Sequence, residues 1–128
     1  MSPKQTIEAV FAAFRALDLE AVYALVDDDV VYQNMAQAPV RGLAGLRSMW
    51  AGFDAISHLH SEVIHMVADG EIVLAERLEH MTIGGRELAV PMAGAFRVRD
   101  GKITEWREYY DMPTFERQLG VTHPGADL

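Results

Sequence analysis

The sequence predicts an α+β fold in which helices pack on one face of an antiparallel sheet. Near the N-terminus apolar residues recur at helical spacing, whereas from His58 onward the period changes to two. Asp69-Gly70 and Asp100-Gly101 are strong hairpin signals within the period-two region. The chain has 128 residues, which is the usual size of one domain.

The helices are predicted from their capping residues and apolar faces. Ser2 and Pro3 are typical of an N-cap and a first helical position, and Asp18 is expected to cap a short second helix. A third helix is predicted over Leu43–Phe53 and a closing helix over Pro113–Leu119. The tail from about residue 120 is expected to be loose.

The strands are predicted from alternation and from the turns that separate them. Pro91 and Gly94, both inside one predicted strand, indicate a bulge and a bend. A strongly curved sheet covered by helices leaves a deep hollow, which is the natural place for a ligand. The predicted ranges are Asp29–Met35, Leu59–Ala68, Glu71–Met81, Glu87–Arg99 and Lys102–Tyr110.

Composition argues against several classes of function. The formal net charge of −8 opposes binding to nucleic acid or to an anionic membrane surface. The absence of cysteine excludes disulfides, thiolate metal sites and a cysteine nucleophile. No stretch approaches the roughly 18 apolar residues of a membrane span. No signal peptide is expected at the N-terminus, so the expected compartment is the cytoplasm.

Alternation places charged side chains among apolar ones. Arg77 and Glu79 share one strand face with Val73, Ala75 and Met81, and Glu108 shares a face with Trp106 and Tyr110. Charges in such surroundings are costly unless they are paired. Two interpretations stay open at this level. The charges form an ordinary pair on a solvent-exposed face, or they meet in the hollow as a carboxyl–guanidinium–carboxyl trio.

A trio of Glu79, Arg77 and Glu108 in the hollow is suited to acid–base chemistry. An apolar site disfavours the second negative charge, so the two carboxyls are expected to share one proton. One acid then donates a proton while the other accepts one. Tyr32 and Asn34 supply a hydroxyl and an amide on one strand face, which can fix a water. Such a site adds water across a polar bond without a metal or a covalent intermediate.

Several segments resemble limonene-1,2-epoxide hydrolases, within the SnoaL-like or NTF2-like superfamily. The resemblance covers nearly the whole chain in order. The family's E-R-x-D strand and its G-V-F…G-K-I-T…W-R-D-Y-F-D run have their counterparts here. The matching segments are V-Y-Q-N-M at 31–35 with Pro39 and Arg41-Gly42, E-R-L-E at 76–79, G-A-F at 94–96, D-G-K-I-T at 100–104 and W-R-E-Y-Y-D at 106–111.

The resemblance implies a fold, an assembly and a reaction. The expected fold is a single NTF2-like cone over residues 1–128, with a strongly curved, mostly antiparallel mixed sheet and helices over its concave face. The family is usually homodimeric and hydrolyses an epoxide to a vicinal diol in one step. The expected partners of this chain are a small hydrophobic substrate and a second copy of itself, with no cofactor.

Carried over by position, the resemblance also implies a role for each polar residue. Glu108 is the base that acts on water, and Glu79 is the acid that acts on the epoxide oxygen. Arg77 bridges the two, while Tyr32 and Asn34 hold the water. The family has aspartate at both acid positions, whereas this chain has glutamate at both.

The substrate-binding residues are predicted from strand faces and from proximity to the trio. Methionine suits the lining of an irregular apolar cavity. No metal site is predicted, because His58 and His60 alternate without an evident third ligand. The predicted lining residues are Met35, Trp50, Phe53, Met81, Val90, Met92, Trp106, Tyr110, Phe115 and Leu119.

Two other classes of function stay open from sequence. One is another acid–base enzyme of the same fold, such as a polyketide-type cyclase, an epoxide-opening cyclase or a ketosteroid-type isomerase. It would use the same acid pair with a carbon acid or an internal hydroxyl in place of water. The other is a non-catalytic NTF2-like binding module, since a fold does not fix a function.

Overall fold

The structure is a computed structural model that describes residues 1–121, so most of the tail predicted to be loose lies outside the described residues. Within these residues, four α-helices and six strands follow one another with one short 3₁₀ helix between them. Their bounds are α1 Pro3–Arg15, α2 Leu19–Tyr23, β1 Val26–Asn34, β2 Val40–Arg41, α3 Leu43–Met49, the 3₁₀ helix Phe53–Ala55, β3 Ile56–Asp69, β4 Ile72–Ile83, β5 Arg86–Arg99, β6 Lys102–Tyr110 and α4 Met112–Leu119.

The predicted helix caps are confirmed. Ser2 Oγ accepts a hydrogen bond from the Gln5 amide at 3.1 Å, and the Gln5 side chain accepts one from the Ser2 amide at 2.8 Å. Together they form a capping box. Asp18 accepts from the Ala21 amide at 3.1 Å and starts α2. Within residues 1–121, no helix has the length and hydropathy that a membrane span requires.

The third helix is shorter than predicted. It ends at Met49, and Trp50 leaves the helical region with φ −94° and ψ 18°. Gly52 then precedes the 3₁₀ helix. Glycine disfavours helix because it loses more backbone entropy on folding than other residues. The predicted range to Phe53 is therefore wrong, although both aromatic residues remain beside the sheet.

The sheet is mixed and mostly antiparallel, as expected. Its strand order is β2-β1-β6-β5-β4-β3. Only β1 and β6 pair in parallel among the described strands, with Tyr32 opposite Trp106 and Asn34 opposite Glu108. The two-residue strand β2 was not predicted, because two residues carry no readable alternation. The parallel pair brings the polar end of β1 beside the acidic end of β6.

The bulge predicted at Pro91 and Gly94 is wrong. The register between β4 and β5 is unbroken along the whole pair. On the other side of β5, the register with β6 shifts between Arg97 and Val98. Gly94 has a different role, since the position that a Cβ atom would take lies 2.8 Å from the Phe96 ring. The glycine permits close packing rather than a change of register.

Helix α1 packs over the inner face of the sheet and completes the core. Ile7 and Val10 are fully buried in it, together with Val73 and Phe96 from the sheet. Leu74, the neighbour of Val73 in sequence, is 48% exposed on the outer face. The predicted alternation of faces in β4 is therefore confirmed, and the α+β class with it.

Helix α3 has one fully buried residue, Leu46, which gives a test of how much its packing contributes. We expect Leu46→Ala to lower the free energy of unfolding by about 2–5 kcal/mol, because it leaves a cavity. Met49→Ala on the same helix is the control, since Met49 is 36% exposed. Urea titrations followed by circular dichroism measure both, and equal losses would contradict the assignment.

Candidate active site

Arg77 lies between two carboxylates in the interior. Its Nε atom donates to Glu79 Oε2 at 2.9 Å, and its Nη2 atom donates to Glu108 Oε2 at 2.6 Å. The side chains of Arg77 and Glu108 are each 4% exposed and that of Glu79 is 9% exposed. The interpretation as a surface charge pair is therefore wrong. These three residues are called the trio below.

The trio forms because β5 has no side chain at one position. Arg77 lies on β4 and Glu108 on β6, with β5 between them. Gly94 of β5 pairs directly with Glu108. A Cβ atom on Gly94 would lie 3.0 Å from Arg77 Nη1. The guanidinium therefore crosses β5 at the one place where its path is open.

Each carboxylate has a second, outer hydrogen-bond partner. The Trp106 indole N–H donates to Glu108 Oε1 at 2.7 Å. Ser61 Oγ donates to Glu79 Oε1 at 2.5 Å. Sequence reasoning missed Ser61, because the pairing register of β3 with β4 decides that it lies opposite Glu79. The only sequence signal is a small polar residue at an inward position of β3.

The positive charge of Arg77 is maintained in this buried setting. Burial lowers the pKa of the guanidinium, but the nearby negative charges of Glu108 and Glu79 together raise that pKa above its ordinary value. The guanidinium also lies 5.2 Å from the centre of the Phe11 ring, within the range of a cation–π interaction. Arg77 is thus a fixed cation at any working pH.

Tyr32 and Asn34 form a polar pair next to Glu108. The Tyr32 hydroxyl donates to Asn34 Oδ1 at 2.9 Å. Burial and the negative charge of Glu108 raise the Tyr32 pKa, so the hydroxyl keeps its proton. Because Asn34 Oδ1 is engaged, its amide N–H groups are the part left to bind an acceptor, such as a water oxygen.

The trio opens on an apolar cavity of about 250 Å³. Tyr32 and Asn34 lie on the same cavity wall as the trio. Most of the predicted substrate-binding residues line the cavity. They are Trp50, Phe53, Met81, Met92, Trp106, Tyr110 and Phe115.

Three predicted lining residues do not line the cavity. Met35 directly follows β1, and its backbone amide donates to the Glu108 carbonyl at 2.9 Å. The chain turns after this point, and Met35 does not line the cavity. Val90 has the predicted face but is only 1% exposed, buried by its neighbours. Leu119 is one turn beyond Phe115 on α4, and it is Phe115 that packs against Tyr110, with ring centres 6.0 Å apart.

Three other residues line the cavity and were not predicted to do so. Phe14 lies on α1, and its ring is 5.7 Å from that of Trp50 and 6.0 Å from that of Trp106. Ile56 and Leu59 come from β3. Which part of a buried face meets a cavity depends on tertiary packing, so alternation alone does not single these residues out.

No histidine within residues 1–121 lines the cavity. The His60 and His80 rings stack with centres 5.9 Å apart, and His80 Nε2 is 2.9 Å from Glu62 Oε1. Across the described part of the chain, no three His, Cys, Asp or Glu side chains are arranged to hold a metal ion. The acid–base groups of the cavity are therefore the trio, Tyr32 and Tyr110.

A curved mixed sheet with helices over an inner cavity defines the NTF2-like, or SnoaL-like, class of proteins. Within that class, residues 1–120 match the model of the limonene-1,2-epoxide hydrolase catalytic domain. The chain belongs to this family, which consists of epoxide hydrolases. The family predicted from sequence motifs is thereby confirmed.

Individual relatives agree with this assignment. The chain is 31% identical to epoxide hydrolase EphG of Mycobacterium tuberculosis over 106 residues, which is 83% of this chain and 71% of EphG. The structure of an M. tuberculosis LEH-like epoxide hydrolase is similar, with a TM-score of 0.75, 31% identity and coverage of 91% and 88% of the two chains.

A third relative shows how widely the fold is shared. It is a protein of ketosteroid isomerase-like fold from Catenulispora acidiphila, solved in complex with trimethylamine. Its structure has a TM-score of 0.80 and 27% identity, with coverage of 100% of this chain and 98% of that one.

The open path across β5 can be tested by filling it. We expect Gly94→Ala to lower the free energy of unfolding by about 1–3 kcal/mol, because the new methyl group overlaps the Phe96 ring and displaces Arg77. Gly52→Ala is the matched control, since no atom lies within 4 Å of its Cβ position and its φ is −85°. Thermal unfolding compares the two, and similar behaviour would refute the close approach.

Proposed function

We propose that this chain hydrolyses a hydrophobic epoxide in one step to a vicinal diol, with the trio as its acid–base machinery. The observation that carries the proposal is the buried Glu79–Arg77–Glu108 chain, which opens on an apolar cavity beside Tyr32 and Asn34. Family membership supports the reaction class. The hydrogen bonds within the site support the roles of the residues.

Glu108 has the surroundings of the base. Its Oε2 atom accepts from Arg77 Nη2 and its Oε1 atom accepts from the Trp106 indole. A guanidinium and an indole N–H are donors only. Both oxygens thus accept hydrogen bonds from groups that cannot accept a proton, which suits the role of the base. Asn34, its direct neighbour across the β1–β6 pair, is in place to hold a water beside it.

Glu79 has the surroundings of the acid. Its Oε2 atom accepts from Arg77 Nε, but its Oε1 atom meets the hydroxyl of Ser61. A hydroxyl can donate to a carboxylate or accept from a carboxylic acid, so Glu79 can hold a proton without losing a partner. With one proton on Glu79, the trio is neutral overall, as an apolar site favours.

The reaction follows from this division of roles. Glu108 takes one proton from the bound water while the water oxygen attacks an epoxide carbon. The carbon–oxygen bond of the ring breaks, and Glu79 gives its proton to the leaving oxygen. The diol forms with the trio's proton now on Glu108, and proton exchange with solvent restores the starting state. The positive charge of Arg77 stabilises the carboxylate at each stage.

The two glutamates are compatible with this scheme. Each carboxyl lies one methylene farther from the backbone than an aspartate carboxyl would. Both still contact Arg77, at 2.9 Å for Glu79 and 2.6 Å for Glu108. The longer side chains therefore still reach Arg77, which supports the proposed roles of both carboxyls.

The cavity wall favours an apolar substrate. Most of the side chains that line it are aromatic or aliphatic. Burying apolar substrate surface in such a cavity contributes roughly 25 cal/mol per Å². Expelling water also strengthens the electrostatic effect of the trio on the reacting atoms.

Product analysis in H₂¹⁸O tests the proposal. We expect the wild-type protein to convert a monocyclic or aryl epoxide to a diol with one solvent oxygen, with or without EDTA. Glu108→Gln and Arg77→Ala should lower kcat/KM by about 10²–10⁴-fold. The controls Glu62→Gln and Arg99→Ala alter exposed charges of the same kinds and should leave it unchanged.

Two results would reject the scheme. One is diol formation undiminished in both trio variants. The other is a cyclic ether without ¹⁸O, which would assign the site to an epoxide-opening cyclisation by an internal hydroxyl.

We also propose that the protein is a homodimer that pairs through the outer face of its sheet. Val67, Leu74 and Tyr109 are 61%, 48% and 43% exposed there, around a shallow apolar hollow floored by Ala93 and Ala95. Two copies related by a two-fold axis can each insert a side chain into the hollow of the other. An exposed apolar patch of this kind is typical of an interface.

Light scattering after gel filtration tests the dimer. We expect twice the chain mass of 14.2 kDa for the wild type, and a monomer for Leu74→Glu because the charge enters the apolar contact. Ala12→Glu places the same charge on an exposed position of α1 and should remain dimeric. A monomeric wild type would refute the dimer, and a dimeric Leu74→Glu would refute this interface.

A further inference from the structure

Ser61 is a buried polar residue to which the motifs assign no role. It lies on β3, directly opposite Glu79 on β4, and is 8% exposed. Its hydroxyl contacts Glu79 Oε1 at 2.5 Å. Burying a hydroxyl without a hydrogen-bond partner is costly, so the contact with Glu79 accounts for the inward position of Ser61.

The contact fixes a side chain that would otherwise be less ordered. A glutamate has one more rotatable bond than an aspartate, so a single contact leaves its carboxyl more freedom. Arg77 holds Oε2 of Glu79 and Ser61 holds Oε1. The carboxyl is therefore fixed at both oxygens, as Glu108 is by Arg77 and Trp106.

The outer partners of the two carboxyls differ in kind. The indole of Trp106 can only donate, whereas the hydroxyl of Ser61 can donate or accept. Ser61 can thus keep its contact while Glu79 changes between acid and carboxylate. Among the described residues, no other outer partner of the trio can both donate and accept a hydrogen bond.

We propose that Ser61 is a positioning residue for Glu79: it holds the carboxyl toward the cavity and follows its change of protonation by turning the hydroxyl. The inference rests on the proposed function, because it takes Glu79 as the acid of the reaction. In each turnover Glu79 gives up one proton and later regains one. The hydroxyl accepts from the carboxylic acid before the transfer and donates to the carboxylate after it.

Few other groups face Glu79. On the cavity wall the titratable groups are Arg77 on its own strand, Tyr32 on β1, and Glu108 and Tyr110 on β6. The segments from α1, β3, β5 and α4 contribute only apolar residues to that wall, as do Trp50 and Phe53. Removing the Ser61 hydroxyl should therefore act on Glu79 with little compensation from other groups.

The test is the pH profile of Ser61→Ala. Loss of the hydroxyl should lower kcat about tenfold or more, since the acid is less well placed. A hydrogen bond to the charged carboxylate is stronger than one to the neutral acid. Without it Glu79 keeps its proton to higher pH, so the alkaline limb of the kcat profile should move to higher pH. Circular dichroism confirms that the variant is folded.

Two further variants separate positioning from general effects. Ser61→Thr keeps a hydroxyl and should restore most of kcat and the original alkaline limb. Ser57→Ala makes the same change at an exposed position of β3 and should match the wild type. The inference is overturned if Ser61→Ala keeps kcat within twofold and its pH profile unmoved, or if Ser61→Thr behaves like Ser61→Ala.

A measurement without substrate distinguishes this inference from the proposed function. In protein with ¹³C-labelled glutamate carboxyls, the Glu79 signal reports its protonation directly. It should titrate at higher pH in Ser61→Ala than in the wild type. If the wild type makes no diol, the proposed function fails and this titration alone decides the role of Ser61. If the signal titrates identically in both, Ser61 does not position Glu79.

Discussion

The structure depends on Arg77, a cation whose side chain is only 4% exposed to solvent. A buried guanidinium is tolerated only when opposite charges and hydrogen bonds replace its hydration. Glu79 and Glu108 provide both the negative charge and the hydrogen bonds. Glu79 lies on the same strand as Arg77, and Glu108 lies two strands away. That requirement constrains the register of β4, β5 and β6 together. It also explains why β5 has a glycine at the crossing point.

The apolar surroundings strengthen this polar core. Rings of Trp50 and Trp106 lie 5.4 Å apart at their centres, and Tyr32 contacts both. Such a packed aromatic cluster leaves the polar side chains few alternative rotamers. The same aromatic residues line the cavity and provide the surface that an apolar ligand would meet. Stability and binding therefore draw on one set of side chains, contributed by helices and sheet.

The two carboxyls of the trio are chemically alike but not equivalent. One is bordered by an indole and the other by a hydroxyl, so their partners differ in the ability to accept a proton. This asymmetry comes from residues on β3 and β6, outside the trio. It offers a physical reason for the proposed division of roles, in which one carboxyl acts as the base and the other as the acid. The replacement of aspartate by glutamate leaves this asymmetry in place.

Alternation left open whether Arg77, Glu79 and Glu108 face the hollow or the solvent. Local patterns in the chain were enough to predict the α+β class, most of the element types and the caps at Ser2 and Asp18. These depend on short-range periodicity and capping chemistry, which a sequence displays directly. Tertiary structure alone decided that Ser61 meets Glu79, that Gly94 opens the path for Arg77, and that Val90 is buried without lining the cavity. Each depends on the register and packing of segments distant in sequence, and alternation within one strand carries no information about its neighbour.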